Sequence, residues 1–257
     1  MSKHWTTEIT KVAANEVRLR GYRIEELMGN ITFGQAVFLL LMGSLPTHEE
    51  EKVIEAILVA SIDHGATPPS TLAARTSAST GAPLNACIAS GLLSINRHHG
   101  AAIEGCMNTI QEALNLAAEQ QITYQNAAKK LIKIYNDTRR RIPGLGHRIH
   151  SNDPRAIRLF AIADDAGICG RGVAMLKVLQ ATLADFGKVL PINVDGAIAA
   201  VLLDLGVPST LGNAFFMIAR VPGLAAHAYE EATQQRPMRR IDPQNHDYCG
   251  PAPRSLA

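Results

Sequence analysis

The sequence predicts an all-α, mainly α-helical fold with one or two short strands near its N-terminus. Three observations carry that expectation. Apolar residues recur at helical spacing almost throughout from Thr32 onward, and few stretches alternate as strands do. Many of the expected helices are also rich in Ala, Gly and Ser, whose small side chains let helices approach closely. With 257 residues, 47% of them hydrophobic and 19% charged, the chain can bury a sizeable core. No Ser/Gly-rich or Pro-rich tract divides it and no internal repeat is visible, so residues 1–257 are read as a single unit.

The elements follow in order. Residues 15–24 hold the extended pieces, with Gly21 in a turn between them. Thr32 fits an N-cap for an apolar helix over 33–42, which Gly43 ends. Thr47 caps the next helix, placing Glu49, Glu50 and Glu51 in its first turn, where carboxylates complement the helix dipole. Val53, Ile54, Ile57, Leu58 and Ile62 form its apolar face, and it ends at Asp63-His64-Gly65. Further helices are expected over 69–79, 83–95, 100–119 and 123–138, then over 154–166, 171–187, 194–205, 209–219 and 222–235. From Arg236 onward Pro237, Pro243, Pro251 and Pro253 argue for an extended arm, of the sort that packs on a neighbouring subunit.

A net charge of +2 gives no electrostatic case for nucleic acid or an anionic membrane. Any basic surface is therefore local. Arg139-Arg140-Arg141, with Lys129, Lys130 and Lys133 upstream, is the clearest candidate, and a solvated helix end reads equally well there. Cys87, Cys106, Cys169 and Cys249 form no CxxC pair, as expected of reduced thiols in a cytoplasmic protein. The N-terminus opens no signal-like segment, and the aliphatic run over 36–42 is too short to span a bilayer. A soluble cytoplasmic protein is the expectation.

The chemistry gathers around Ile142-Pro143-Gly144-Leu145-Gly146-His147-Arg148 and the following Asp153-Pro154-Arg155. A proline and two glycines frame a histidine, the side chain that moves protons near neutral pH. An arginine able to grip a carboxylate in bidentate fashion follows eight positions later. His64 and His99 share with His147 an adjacent glycine and a place at an element end. In Pro191-Ile192-Asn193-Val194-Asp195-Gly196 a helix start carries a carboxylate into apolar surroundings, where desolvation would suit Asp195 to proton transfer. The same residues also read as plain N-terminal design, with Asn193 as the cap and Asp195 favourable to the dipole. Arg155, Arg220 and Arg236 could together hold a di- or tricarboxylate. His64, His98, His99, His147 and His150 lack the spacings of a metal site, and no metal is expected.

These residues resemble the citrate synthase family and, in layout, its citryl-CoA lyase branch, related to the C-terminal module of ATP-citrate lyase. The resemblance covers most of the chain. It rests on the RGYRIEEL run from Arg20 to Leu27, the apolar helix ending in LLMGSLP at Pro46, and GLGHR with Asp153-Pro154-Arg155. Asn193-Val194-Asp195, Ala219-Arg220 with Gly223 and His227, and Arg236-Pro237 complete the series. Only seventeen residues separate Pro46 from His64, and Gly196-Ala197 follows Asp195; both are similar to the compact lyase layout.

The resemblance implies a larger helical core over roughly 1–150 and 190–257, with a smaller helical coenzyme A-side subdomain over roughly 100–190. It implies catalytic roles for His99 at the thioester oxygen, His147 at the citryl hydroxyl and Asp195 at the acetyl methyl carbon. His64, Arg155 and Arg220 would bind substrate carboxylates, with Arg236 reaching the site from a neighbouring subunit of a functional dimer. Arg139, Arg140, Arg141, Gly144, Leu145 and Gly146 would contact coenzyme A. The implied activity is cleavage of (3S)-citryl-CoA to acetyl-CoA and oxaloacetate, with coenzyme A thioester as substrate and no cofactor. A separate citryl-CoA synthetase fits as a partner. Two alternatives stay open: a minimal citrate synthase or a relative using another acyl-CoA, and a non-catalytic CoA-binding or assembly subunit of such a system.

Overall fold

Short polar and apolar segments pair into a sheet before the first long helix begins. In the computed structural model, which describes residues 4–96, 99–100, 102–147, 151–239, 247, 249–250 and 252, β1 (Thr10–Ala13), β2 (Glu16–Leu19) and β3 (Tyr22–Arg23) form an antiparallel meander in the order β1-β2-β3. Ala13 pairs with Glu16 and Leu19 with Tyr22, leaving two-residue turns. In the second turn Arg20 and Gly21 have φ of 48° and 92°, the left-handed pair that matches the twist of a hairpin. The sheet starts earlier than the 15–24 expected. Thr10–Ala13 is mostly exposed and has no clear alternation, so pairing with β2, rather than a buried face, makes it a strand.

The helices are α1 (Ile24–Leu27), α2 (Phe33–Met42), α3 (His48–Ser61), α4 (Pro69–Ser79), α5 (Leu84–Leu93), α6 (Ala102–Glu119), α7 (Tyr124–Asp137), α8 (Pro154–Asp165), α9 (Arg171–Asp185), α10 (Val194–Asp204) and α11 (Ser209–Gln234). Thr32 with Gln35, and Thr47 with Glu50, form reciprocal capping boxes, so two orphan backbone donors are satisfied at each start. The expected pair of helices over 209–219 and 222–235 is one helix, α11, with Pro222 inside it. The fixed φ of proline is helical. Its cost is one missing N–H for the carbonyl four residues back.

The chain packs as two compact units, one formed by Met1–His64 and Ile95–Pro222, the other by Gly65–Ser94 and Gly223–Ala257. The subdomain expected over roughly 100–190 lies wholly within the first unit. At the centre of that unit α10 is buried from Gly196 through Leu202, with α6, α8 and α9 packed around it. A helix segment enclosed on all sides must be apolar all round, and residues 196–202 are. Its last residue, Asp204, accepts from the backbone N–H groups of Gly170 (2.8 Å), Gly172 (2.7 Å) and Val173 (3.0 Å). It thereby caps α9, whose own N-cap residue, Gly170, has no side chain to do so.

In the second unit α4 and α5 pack closely, as their small residues suggested. A Cβ on Gly91 would meet Leu224 at 2.9 Å and the Ser70 carbonyl at 3.0 Å. Ser90 Oγ lies 2.9 Å from Ser77 Oγ. Arg75 on α4 donates to Glu231 on α11 at 2.8 Å, and Arg239, past the end of α11, grips the same carboxylate. Of the expected arm, Arg236 and Pro237 are described and follow α11 in non-helical backbone; Pro243, Pro251 and Pro253 lie outside the described residues. No helix among the described residues is long and apolar enough to cross a membrane.

Candidate active site

Two backbones in contact fix the heart of the site. Gly144 has φ of 81°, and a Cβ there would lie 2.6 Å from Gly196 Cα and 2.7 Å from Cys106 Sγ. A Cβ on Gly196 would in turn run into the Gly144 carbonyl. The turn that presents His147 therefore rests directly on the first turn of α10. Three hydrogen bonds strap it there: Gly146 N–H to Pro191 O (2.7 Å), Asn193 N–H to Gly144 O (3.1 Å) and Asn193 Nδ2 to Gly146 O (2.8 Å). Asn193 also caps α10 by accepting from Gly196 N–H at 3.0 Å. Its side chain thus holds the Asp195 helix and the His147 turn at once.

Asp153 is the second organiser; in the sequence it stood out only as part of Asp153-Pro154-Arg155, with no role of its own. The residue is 0% exposed. It caps α8 by accepting from Arg155 N–H at 3.0 Å, and it accepts from Arg155 Nε at 3.1 Å and Nη2 at 2.9 Å. Its other link runs to α10, where Val194 N–H donates to it at 3.0 Å. One carboxylate therefore faces the positive ends of two helices while it orients an arginine. Burial pushes its pKa up, but the Arg155 hydrogen bonds and charge, with the two backbone N–H groups, outweigh this and hold it below the ordinary range.

With its Nε and Nη2 on Asp153, Arg155 turns Nη1 toward His64 Nδ1, 3.4 Å away. The His64 and His147 rings lie 5.9 Å apart at 89°. Arg220, only 2% exposed, donates from Nε to the Ser61 carbonyl at 2.9 Å and sits over the Phe216 ring, 4.7 Å from its centroid. Burial drives the Asp195 pKa up, against the charges of Arg155 and Arg220 and with that of Asp153. For His64, burial pulls the pKa down, and Arg155, Arg220 and His147 add to the effect. His64, His147, Arg155, Arg220 and the half-buried Asp195 carboxyl thus form one electrostatic cluster.

His99 exchanges reciprocal backbone hydrogen bonds with Asn96, 2.8 and 2.7 Å long. The adjacent Gly100 packs so tightly that a Cβ would lie 2.7 Å from Ile95 and from the Phe216 ring, the same ring that carries Arg220. Four residues further along, Glu104 is locked to Asn213 by a pair of hydrogen bonds of 3.2 and 2.9 Å. Arg236 belongs to the second unit and is exposed. His98 and His150 lie outside the described residues, among which no three His, Cys, Asp or Glu side chains gather as a metal would require.

Beside the His147 turn opens a cavity of about 590 Å³, lined among others by Tyr135, Arg140, Arg141, Leu145, His147 and Lys188. Gly146 lines it too; Gly144, packed on Gly196, and Arg139 are not among its lining residues. Arg140 stacks 3.9 Å from the Tyr135 ring centroid, where cation–π attraction and a 2.8 Å bond to the phenol oxygen hold it. Lys188 was missed in the sequence. The signal available was its place between the end of α9 and Pro191-Ile192-Asn193, which brings a cation to the same mouth.

The profile of the family described as "Citrate synthase, C-terminal domain" matches residues 3–52 and 46–241. The chain is 31% identical over 218 residues to the citrate/2-methylcitrate synthase of Bacillus subtilis (strain 168), covering 79% of this chain and 54% of that protein. It is 27% identical over 215 residues to the citrate synthase of Heyndrickxia coagulans, covering 82% of this chain and 55% of that protein. It therefore spans about half the length of the curated relatives it matches. Among solved structures it is similar to citryl-CoA lyase from Hydrogenobacter thermophilus, with 41% identity and a TM-score of 0.89 over 98% of this chain and 97% of that one. A Methanosaeta concilii ATP citrate lyase mutant in complex with (3S)-citryl-CoA shares the fold, at 19% identity and a TM-score of 0.83 over 98% of this chain and 42% of that one.

Proposed function

Because the chain belongs to the citrate synthase family, we propose that it is a citryl-CoA lyase, cleaving (3S)-citryl-CoA to acetyl-CoA and oxaloacetate. The observation that carries this reading is the end-to-end likeness to the Hydrogenobacter citryl-CoA lyase.

His147 takes the proton of the citryl hydroxyl. The C–C bond then breaks, the ketone of oxaloacetate forms, and the electron pair passes to the thioester as an enolate. His99 donates to the enolate oxygen; a prepositioned donor of that kind contributes about 3–4 kcal/mol to the transition state. Asp195 delivers a proton to the new methyl carbon. Its raised pKa supports that role, since only the protonated acid can act as donor. His64, Arg155 and Arg220 bind the carboxylates. Asp153 occupies the Nε–Nη2 side of Arg155, so the edge bearing Nη1 is the one that meets substrate. Arg236 completes the carboxylate site from a neighbouring subunit, which makes the dimer the functional unit.

The cavity beside His147 receives coenzyme A, with Arg140, Arg141 and Lys188 near its phosphates and Leu145 and Gly146 against its body. Gly144 supports that loop from behind through its contact with Gly196. A separate citryl-CoA synthetase supplies the thioester. A cytoplasmic location is supported by four cysteines that are all free thiols.

A second reading is favoured by the family profile and by the Bacillus relative: the same site run toward condensation. Incubating the protein separately with citryl-CoA and with acetyl-CoA plus oxaloacetate distinguishes the two. Release of acetyl-CoA from citryl-CoA should be the faster process. Formation of free citrate at rates well above citryl-CoA cleavage would overturn the lyase reading.

A further inference from the structure

We propose that Glu231 is a positioning residue for Arg236, holding closed the loop that carries this arginine; the inference rests on the reading that Arg236 serves a citryl site. The Glu231 side chain is 1% exposed, an unusual place for a carboxylate unless it is paired. Two arginines pair it. Arg75 of α4 donates to Oε2 at 2.8 Å, and Arg239 donates to Oε1 at 2.8 Å while also pairing with Oε2. Glu231 and Arg239 are eight residues apart in the chain, so the carboxylate closes the base of a short loop.

That loop is fixed at further points. Gln235 N–H donates to the Glu231 carbonyl at 3.2 Å, and Met238 N–H donates to the Ser79 carbonyl, at the end of α4, at 2.7 Å. Met238 has φ of 60°, which turns the chain back toward Glu231. Pro237 restricts the residue before it to extended backbone. Arg236 stands between these anchors, and its side chain is exposed. An arginine whose backbone is ordered in advance can meet a carboxylate without the entropy of ordering the loop being lost on binding. A buried carboxylate holding two cations from different segments does this without touching substrate.

The test is a double-mutant cycle on the intact protein, with steady-state cleavage of citryl-CoA as readout. Glu231→Gln keeps the shape and loses the charge. It should raise KM about tenfold and change kcat by less than about twofold, the pattern of lost uniform binding. Arg236→Ala should raise KM at least as much. The double variant should match Arg236→Ala alone, because Glu231 acts through that side chain. If Glu231→Gln fails to fold, Arg239→Met serves under the same criteria, with Arg239→Lys recovering part of the KM. A full additional factor from Glu231→Gln in the Arg236→Ala background overturns the proposal. So does an unchanged KM in Glu231→Gln where Arg236→Ala raises it. An unchanged KM in Arg236→Ala overturns the reading of Arg236 itself, and the proposal with it.

Discussion

His64 accepts on Nδ1, because the group 3.4 Å away is Arg155 Nη1, which can only donate. The ring is then neutral with its proton on Nε2, in keeping with a pKa held down by burial and by Arg155, Arg220 and His147. Nitrogen-15 NMR at neutral pH should show the Nε2–H tautomer for His64; a doubly protonated ring would contradict the arrangement. At Asp195 the expected loss is catalytic. Asp195→Asn should lower kcat for cleavage about 10²–10⁴-fold with KM little changed. On the proposed reading the acid form donates the proton, so kcat should fall as pH rises through the raised Asp195 pKa, and that limb should be missing from the variant's profile. His147, Arg155 and Asp195 were legible in sequence because glycine turns and a cap mark them locally. Asp153 was not, since its role depends on a backbone N–H at Val194, 41 residues away.

Asn193 shows how much an element boundary can hold. Removing its side chain in Asn193→Ala deletes the α10 cap and the bond to Gly146 O together. A loss of about 1–2 kcal/mol in urea unfolding is expected from the cap. Activity should fall as well, because the His147 turn loses a strap; full activity at reduced stability would separate the two functions. The helix starts at Thr32 and Thr47 could be read from sequence because a capping box needs only residues three apart. β1 could not, because a strand defined by its partner leaves little trace in its own residues. The division of α11 at Pro222 was over-read: proline there removes a bond without ending the helix. Asp204 was silent for the opposite reason, since the helix it caps is α9 rather than its own.

Across the whole chain, stability should depend on acid through two buried carboxylates. Arg239 hydrogen bonding lowers the Glu231 pKa, with Arg75 adding to the effect against burial, and Asp153 is likewise lowered. A carboxyl group with a depressed folded-state pKa stabilises the fold above its unfolded value, and that contribution disappears as pH falls through the folded one. His64 acts in the same direction, because its lowered pKa lets the unfolded chain bind more protons in acid. Urea midpoints should therefore begin to drop as pH falls below about 6.5, where His64 titrates in the unfolded chain. They should drop further below about 4.5, where the carboxylates follow, and this lower part should be less steep in Glu231→Gln. An equal slope in that variant would show that the pair carries none of the dependence. The helical class was legible at this scale because periodicity repeats in every segment, whereas the division into two units depends on contacts between distant segments that no local pattern records. The Gly144–Gly196 contact has a mechanical consequence. On the proposed reading, the proton acceptor and the proton donor are registered against each other by two touching backbones, so a side chain added at either Gly144 or Gly196 should displace both groups at once.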